Sequence, residues 1–218
     1  QGTESFELWT NQKAPIETME TALNAKTEKR EKNNIVLIGF MGVGKSSIGR
    51  QLAKIMAKPF VDTDELIEKQ ENQKVQDIFS KKGETYFRKL EKNAIESAST
   101  LQNSVISTGG GAILDANNVA TLRNCGILVL LKSTPNEILQ NLKKTSHRPL
   151  LNSKNRLEKI KEMLAWREPY YMQADLEIQT KNRKPEDLAK EISAEAGVNV
   201  EIFIESNHTT ASLDCQSV

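Results

Sequence analysis

The fold of this 218-residue chain is decided by residues Asn34–Met56, which read NIVLIGFMGVGKSSIGRQLAKIM. The stretch opens with the short continuous apolar run Ile35–Ile38 and then passes through a glycine-rich turn. Apolar residues at helical spacing follow from Ser46 onward. A short apolar run predicts a buried strand, and apolar residues three or four positions apart predict an amphipathic helix. The stretch therefore predicts a strand, a loop and a helix in succession.

The turn carries the pattern GxxxxGKS at Gly39–Ser46. Its glycines let the backbone curl so that N–H groups point at phosphate oxygens, and the following helix presents its positive end to the same anion. Lys45 is expected to reach the β- and γ-phosphates and Ser46 to bind Mg²⁺. A glycine turn that binds nothing is the alternative, but the position between strand and helix favours a nucleoside triphosphate site. The residues expected to bind the triphosphate are Gly42, Val43, Gly44, Lys45, Ser46 and Ser47.

Strands and helices alternate outward from this unit along the chain. Besides Ile35–Ile38, the predicted strands are Pro59–Val61, Ser104–Ser107, Gly126–Leu131 and Leu176–Gln179. The predicted helices are Ser46–Met56, Asp64–Gln70, one helical region from Ile78 to Ala98, Asn117–Arg123, Pro135–Lys144, Leu157–Tyr170 and Pro185–Ala194. This alternation predicts an α/β fold with a central five-stranded parallel sheet flanked by helices on both faces.

The overall composition excludes several classes of protein. Lys and Arg number 30 and Asp and Glu 29, so the net charge is +1 at pH 7. A nucleic-acid-binding protein normally carries a clear basic excess, so no nucleic-acid partner is expected. No apolar run approaches the roughly 20 residues that span a bilayer, so no membrane partner is expected either. Cys125 and Cys215 lie far apart in the sequence and form no CxxC pair, which suits a reducing compartment rather than a disulfide framework or a zinc cluster.

The two ends of the chain differ from the rest. Residues 1–33 lack a sustained apolar stripe and a segment suited to a secretory signal, and their six glutamates fit poorly with a transit peptide. We interpret them as a flexible or loosely helical N-terminal extension, and because Gln1 is not Met we expect the native start to be missing. Residues 198–218 are expected to be a tail, of which Val198–Ile204 could form an edge strand. These boundaries leave residues 34–197 as one domain.

Two carboxylates follow the second predicted strand at Asp62 and Asp64, with Thr63 between them. Ligands of open α/β sheets bind at the carboxyl ends of strands, so these side chains are well placed for chemistry. One could hold Mg²⁺ through water while the other takes a proton from a substrate hydroxyl. Capping of the next helix by Thr63 or Asp64 is the alternative. Since neither Ser104–Ser107 nor Gly126–Leu131 is followed by an acid, Asp62 is the best candidate for the magnesium carboxylate.

Several separate motifs make the chain similar to the shikimate kinase family from about Asn34 to Ala196. They are the phosphate loop, Asp62-x-Asp64, Ile78-Phe79 followed by Gly83-Glu84-x-x-Phe87-Arg88, Thr108-Gly109-Gly110-Gly111, Arg148-Pro149-Leu150-Leu151, Arg167-x-Pro169-x-Tyr171 and Thr180-x-x-Arg183-x-Pro185. Their order and spacing together are more specific than any single motif. The resemblance implies a three-layer phosphate-loop kinase fold with a mobile lid. It also implies ATP-dependent phosphorylation of the 3-hydroxyl of shikimate, in chorismate and aromatic amino acid biosynthesis.

The resemblance assigns roles to the substrate-binding residues. Asp64 would contact the ring hydroxyls and act as the base toward the attacking 3-hydroxyl. Arg88 and Arg167 would bind the substrate carboxylate, a task that suits a planar guanidinium better than an ammonium. Glu91 would orient Arg88 as its i,i+3 partner. Gly109, Gly110 and Gly111 would let backbone approach the ring, and Phe79 and Phe87 would wall its apolar face, with plain core packing as the alternative for these two.

A further part of the resemblance concerns ATP. The basic segment Lys143–Arg156 resembles the mobile lid of the family, in which Arg148 would touch the phosphates and act in catalysis together with Lys45 and Asp64. Closure would exclude water and suppress hydrolysis of ATP, whereas a plain loop between two helices is the alternative. Arg183 resembles a residue of the adenine-binding loop.

Two alternative functions stay open. The chain could be another small-molecule kinase of the same architecture, such as a gluconate-kinase-like enzyme, although Arg88 and Arg167 together with the two aspartates favour shikimate. It could also be a non-catalytic nucleotide-binding homologue, which the presence of Lys45 beside these residues argues against. We expect a cytoplasmic monomer, or a plastid protein if the source is a plant, that uses ATP and Mg²⁺. Whether the chain belongs to a larger fused polypeptide is left open.

Overall fold

The structure is a computed structural model that describes residues 33–144 and 155–196. Its strands β1 to β5 are Asn34–Gly39, Phe60–Asp62, Val105–Ser107, Gly126–Lys132 and Leu176–Gln179. Its helices α1 to α7 are Lys45–Ile55, Thr63–Glu71, Val75–Ser99, Ala116–Cys125, Pro135–Lys144, Arg156–Tyr171 and 185–196. A short 3-10 turn, Ala112–Leu114, precedes α4. All five predicted strands and the predicted helices are present, with boundaries that differ by a few residues.

The five strands form one sheet in the order β2-β3-β1-β4-β5, and every neighbouring pair is parallel. Strand β1 lies at the centre, where Ile35 pairs with Val105 of β3 on one side and with Ile127 of β4 on the other. Because all strands point the same way, their carboxyl ends open on one edge of the sheet, where ligands of such folds bind. The loops that follow β1, β2 and β3 therefore meet at this edge.

Alternate residues of β1 face two different cores. Ile35 and Leu37 pack in a core with residues of α1 and α7, whereas Val36 and Ile38 pack in a second core with residues of α3 and α4. All six residues of β1 are buried, as expected of a strand with helices on both faces of its sheet. The three-layer α/β fold predicted from the sequence is thereby confirmed.

Helix α3 differs from the prediction of one continuous helical region. Gly83 interrupts it with φ 80° and ψ 173°, so that the segment consists of two helices that meet at this residue. A positive φ costs glycine little because it has no Cβ, and the next residue, Glu84, opens the second half of the segment. The break at Gly83 therefore separates Phe79 from Arg88, two of the predicted substrate-binding residues.

Some predictions lie outside the described residues. These are the N-terminal extension, the C-terminal tail with Val198–Ile204, and the part of the lid segment that includes Arg148. Within residues 33–144 and 155–196, no helix is long and apolar enough to cross a membrane.

Candidate active site

The loop between β1 and α1 is shaped by backbone rather than by side chains. Gly44 has φ 101° and directly precedes α1, a conformation that a residue with a Cβ adopts only with strain. The buried Lys45 donates from Nζ to the carbonyl oxygens of Gly39 and Phe40, at 2.7 and 3.0 Å. The loop backbone therefore surrounds the ammonium group of Lys45. The N-terminus of α1 faces the edge of the sheet where ligands bind.

A large cavity of about 780 Å³ adjoins this loop and is referred to below as the nucleotide cavity. The triphosphate-binding residues predicted from the sequence all line it, namely Gly42, Val43, Gly44, Lys45, Ser46 and Ser47. Arg183 lines the same cavity from the segment between β5 and α7, where its guanidinium is paired with Glu191. Residues far apart in the sequence therefore meet around one space of a size suited to a nucleotide.

Glu137, which was not identified from the sequence, links the loop after β4 to the loop after β5 on the wall of the nucleotide cavity. Its carboxylate accepts hydrogen bonds from Ser133 Oγ at 2.7 Å and from the backbone N–H of Asn182 at 2.8 Å. Burial raises the pKa of Glu137, but these hydrogen bonds outweigh burial and hold the pKa below its usual range. The available signal was the pattern Thr134-x-x-Glu137, which is typical of a helix N-terminus.

Asp62 is held by both of its carboxylate oxygens. Oδ2 accepts from Ser46 Oγ at 2.7 Å, and Oδ1 accepts from the backbone N–H groups of Asp64 and Glu65 at 3.0 and 3.4 Å. The second pair of contacts makes Asp62 the N-cap of α2. The alternative that Thr63 or Asp64 caps this helix is therefore wrong. Thr63 instead accepts a hydrogen bond at Oγ1 from the N–H of Gly109.

The contact between Ser46 and Asp62 fits a magnesium ion that arrives with phosphates. Among residues 33–144 and 155–196, no three His, Cys, Asp or Glu side chains converge as a self-sufficient metal site. Mg²⁺ bound with a nucleotide does not need such a group, because water and phosphate oxygens supply most of its ligands beside one or two protein oxygens. A hydroxyl and a carboxylate already in contact beside the phosphate loop match that requirement.

A second cavity of about 370 Å³ lies next to the first and is referred to below as the acceptor cavity. All eight predicted substrate-binding residues line it: Asp64, Phe79, Phe87, Arg88, Gly109, Gly110, Gly111 and Arg167. The ring centres of Phe79 and Phe87 lie 4.4 Å apart, and both side chains pack in a small core as well as on the cavity, so core packing and cavity lining are compatible for these residues. The cavities share part of their walls, namely Ser46, Asp62, Asp64 and Gly110.

Arg167 is a buried cation on the wall of the acceptor cavity. Its side chain is only 4% exposed, and Nη1 donates to the carbonyl oxygen of Gly110 at 2.8 Å. The guanidinium carbon lies 5.1 Å from the ring centre of Phe40. Nε of Arg167 has no hydrogen-bond partner among the described residues. Because a buried N–H without an acceptor costs free energy, this guanidinium favours an anionic ligand that can accept the missing hydrogen bond.

Arg88 enters the same cavity between two acidic side chains. Nη1 donates to Glu91 Oε2 at 2.7 Å, as the predicted orienting role requires, while Nε and Nη2 both donate to Glu84 Oε1. Burial raises the pKa of Glu91, and the nearby Arg88 opposes that effect only in part. Burial lowers the pKa of Arg88, but its contacts with Glu91 and Glu84 outweigh burial and raise it. Arg88 is therefore a firmly charged group in the acceptor cavity.

Two glycines keep the space around these charges open. A Cβ added at Gly111 would lie 2.5 Å from Nη1 of Arg88. A Cβ added at Gly109 would lie 2.6 Å from Oε1 of Glu91 and 2.8 Å from Oδ1 of Asp64. These distances are far below normal contact, so backbone can approach the charged groups only where no side chain is present.

Comparison with known proteins decides the family. Residues 41–196 match the family model described as shikimate kinase. The chain is 46% identical over 159 residues to the shikimate kinase of Caldanaerobacter subterraneus subsp. tengcongensis, which covers 73% of this chain and 93% of that relative. The chain belongs to the shikimate kinase family. Another family member, from Thermodesulfovibrio yellowstonii, is 44% identical over 162 residues, 74% of this chain and 94% of that one.

Solved structures of other shikimate kinases share the fold. The enzyme from Acinetobacter baumannii in complex with shikimate matches with a TM-score of 0.74 and 34% identity, over 78% of this chain and 96% of that one. The enzyme from Aquifex aeolicus matches with a TM-score of 0.65 and 34% identity, over 76% of this chain and 97% of that one. Separately, residues 1–23 match the family model described as the shikimate 5'-dehydrogenase C-terminal domain.

Proposed function

We propose that this shikimate kinase family member transfers the γ-phosphoryl group of ATP to the 3-hydroxyl of shikimate, giving 3-phosphoshikimate and ADP. The observation that carries the proposal is the position of Asp64, which lies on the wall shared by the two cavities. A phosphoryl group bound at the loop on one side can meet a hydroxyl bound on the other side at this wall. Two arginines, Arg88 and Arg167, lie on the acceptor side.

Asp64 is the residue we assign as the base toward the attacking hydroxyl. Asp62, two residues earlier, is fixed by Ser46 and by the start of α2, so we assign it to helix capping and to Mg²⁺ rather than to proton transfer. Asp64 follows directly in the first turn of α2 and borders both cavities. A carboxylate in this position can accept the hydroxyl proton as the oxygen attacks phosphorus.

Arg88 and Arg167 would bind the carboxylate of the acceptor. They come from α3 and α6, and both line the acceptor cavity. Two planar guanidinium groups can fix the position and the orientation of a carboxylate, and thereby of the ring that carries it. Such fixed positioning supplies much of the catalysis in phosphoryl transfer.

On the donor side, Lys45 and the loop N–H groups would hold the phosphates, and Arg183 would border the base of the nucleotide. Ser46 and Asp62 would hold Mg²⁺, which neutralises charge on the phosphate oxygens when it is bound. Arg148, whose proposed contact with the phosphates rests on the family resemblance, lies outside the described residues. Closure of the segment that contains it would keep water from the transferred group.

An acceptor panel tests the proposal. ADP release is measured with ATP, Mg²⁺ and either shikimate or gluconate, and the product is identified by phosphorus NMR. We expect turnover with shikimate only, at the 3-hydroxyl. Turnover with gluconate alone would favour the other small-molecule kinase, and ATP binding without turnover on any acceptor would favour the non-catalytic homologue.

A second function is favoured by the match of residues 1–23 to the dehydrogenase family model. We propose that these residues belong to a shikimate dehydrogenase domain of a longer polypeptide, in which the product of one site is the acceptor of the other. The coding sequence upstream of Gln1 is read, and the longer polypeptide is assayed for oxidation of shikimate by a nicotinamide dinucleotide. An upstream sequence without a dehydrogenase domain would contradict this proposal and leave the kinase assignment untouched.

A further inference from the structure

The guanidinium of Arg88 is already engaged on the edge that best binds a carboxylate. A guanidinium offers paired N–H donors on two edges, the side edge with Nε and Nη2 and the end edge with Nη1 and Nη2. In this structure the side edge donates to Oε1 of Glu84, at 3.2 Å from Nε and 2.8 Å from Nη2. On the end edge, Nη1 donates to Oε2 of Glu91 at 2.7 Å.

The end edge has no room for a second carboxylate. The backbone of Gly111 lies against it, so close that an added Cβ would be 2.5 Å from Nη1 and 2.7 Å from Nη2. A ligand carboxylate that takes a paired grip on Arg88 therefore has to use the side edge. Glu84 occupies that edge and has to leave first.

Of the two acidic partners of Arg88, only Glu84 is free to move into water. The side chain of Glu91 is 1% exposed, whereas that of Glu84 is 61% exposed. If neither moved, a bound acceptor would place three carboxylates around one guanidinium, and their mutual repulsion would weaken binding. Displacement of the exposed Glu84 removes this repulsion at little cost, because solvent-exposed ion pairs are weak.

The helix N-terminus at Glu84 can stabilise its carboxylate after the contact with Arg88 is lost. Gly83 breaks the helix immediately before it, and no atom lies within 4 Å of the position that a Cβ on Gly83 would occupy. Glu84 therefore stands at the beginning of the second half of α3, beside open space. A negative charge at a helix N-terminus interacts favourably with the helix dipole, so Glu84 stays stabilised after it leaves Arg88.

We propose that Glu84 is an internal competitor of the acceptor, which occupies Arg88 until the carboxylate of the acceptor displaces it and so sets the affinity for that carboxylate. The inference rests on the proposed function, since it takes the acceptor to be a carboxylic acid bound by Arg88. An acceptor of similar shape without a carboxylate cannot make this exchange. Glu84 thereby lowers the affinity of the empty site for carboxylic acids and leaves its affinity for an analogue without a carboxylate unchanged.

The test compares Glu84→Gln with wild type in steady-state kinetics. Removal of the competing charge is expected to lower KM for shikimate by about three- to tenfold, in line with the loss of one exposed ion pair and its repulsion. We expect kcat within about twofold of wild type and KM for ATP unchanged. Glu96→Gln, an exposed change on the same helix, is the matched control and should alter none of these constants.

A second measurement separates competition from a general change of the cavity. The methyl ester of shikimate, which has no carboxylate, is tested as a competitive ligand and should gain no affinity in Glu84→Gln. An unchanged or higher KM for shikimate would overturn the proposal, because it would mean that Glu84 is inert or holds Arg88 in place for the substrate. An equal gain for acid and ester would overturn it too. If wild type fails to phosphorylate shikimate, the proposed function itself fails, which the wild-type arm reveals independently.

Discussion

The two cavities that meet at the edge of the sheet are built in different ways. The nucleotide cavity is formed around one contiguous loop, whose backbone and glycines give it shape. The acceptor cavity is formed by charged side chains that arrive from α2, α3 and α6 and from the loop after β3. A phosphate group is recognised by backbone N–H groups that every sequence has, whereas a particular acceptor needs side chains in particular places. Substitutions should therefore separate the two cavities, with the larger effects on the acceptor side.

Asp64→Asn is expected to give the largest difference between the effect on turnover of the acceptor and the effect on binding of ATP. The amide keeps the size of the side chain but cannot take the hydroxyl proton, so kcat should fall by about 10²- to 10⁴-fold. The dissociation constant of ATP, measured by calorimetry, should stay within about twofold of wild type. A comparable loss of ATP affinity would contradict the assignment of Asp64 as the base toward the acceptor hydroxyl.

Gly111→Ala should affect the acceptor alone. The added Cβ would lie 2.5 Å from Nη1 of Arg88, so the guanidinium must shift away from its position. Displacement of one of two carboxylate-binding groups should raise KM for shikimate by more than about tenfold. KM for ATP is the internal control, and a rise of the same size in both constants would show that the two cavities are not independent in this respect.

Arg88→Lys should have a smaller effect in the same direction. An ammonium keeps the charge but cannot offer paired planar donors, so the affinity for shikimate should fall by about tenfold while that for ATP is unchanged. Titration calorimetry with each ligand measures this. Arg50→Lys is the matched control, since Arg50 forms an exposed pair with Glu65. Equal weakening of both ligands would count against the proposed role of Arg88.

The smallest effect concerns the stability of the acceptor cavity itself. Burial raises the pKa of Glu91 above its ordinary value of 4.5, so the folded protein binds more protons than the unfolded chain between these two pKa values. The free energy of unfolding should therefore decrease as the pH rises from about 4.5 through the raised pKa. The slope is at most about 1.4 kcal/mol per pH unit for one group.

Urea unfolding of wild type and Glu91→Gln over a series of pH values measures this contribution. Since glutamine does not titrate, the stability of wild type relative to the variant should be greatest at the acidic end of the series. A difference that stays constant with pH would show that Arg88 fully compensates the burial of the charge.

The same contrast between the cavities explains what could be predicted from the sequence. The phosphate loop is contiguous, and its residues were identified from their own order and spacing. Asp62 and Asp64 followed from their position at a strand end. Arg88 and Arg167 lie on different helices, and no periodicity relates them, so only the family resemblance brought them to the same site.

Two local details could not be derived from the sequence. A glycine within a helical pattern is sometimes tolerated and sometimes ends the helix, and the sequence around Gly83 does not show which of the two occurs. The contact of Glu84 with Arg88, by contrast, has the i,i+4 spacing of an ordinary helical ion pair. Asp62 was predicted to hold the metal, whereas its part in capping α2 became visible only once the direction of that helix was known.

The wall shared by the two cavities has a thermodynamic consequence. Because Ser46, Asp62, Asp64 and Gly110 border both spaces, a ligand on either side changes the surroundings of the other. Any factor by which the nucleotide alters the affinity for the acceptor must equal the factor by which the acceptor alters the affinity for the nucleotide, since the binding cycle closes. A substitution in this wall can therefore leave each separate affinity intact and still change the coupling free energy between the two ligands.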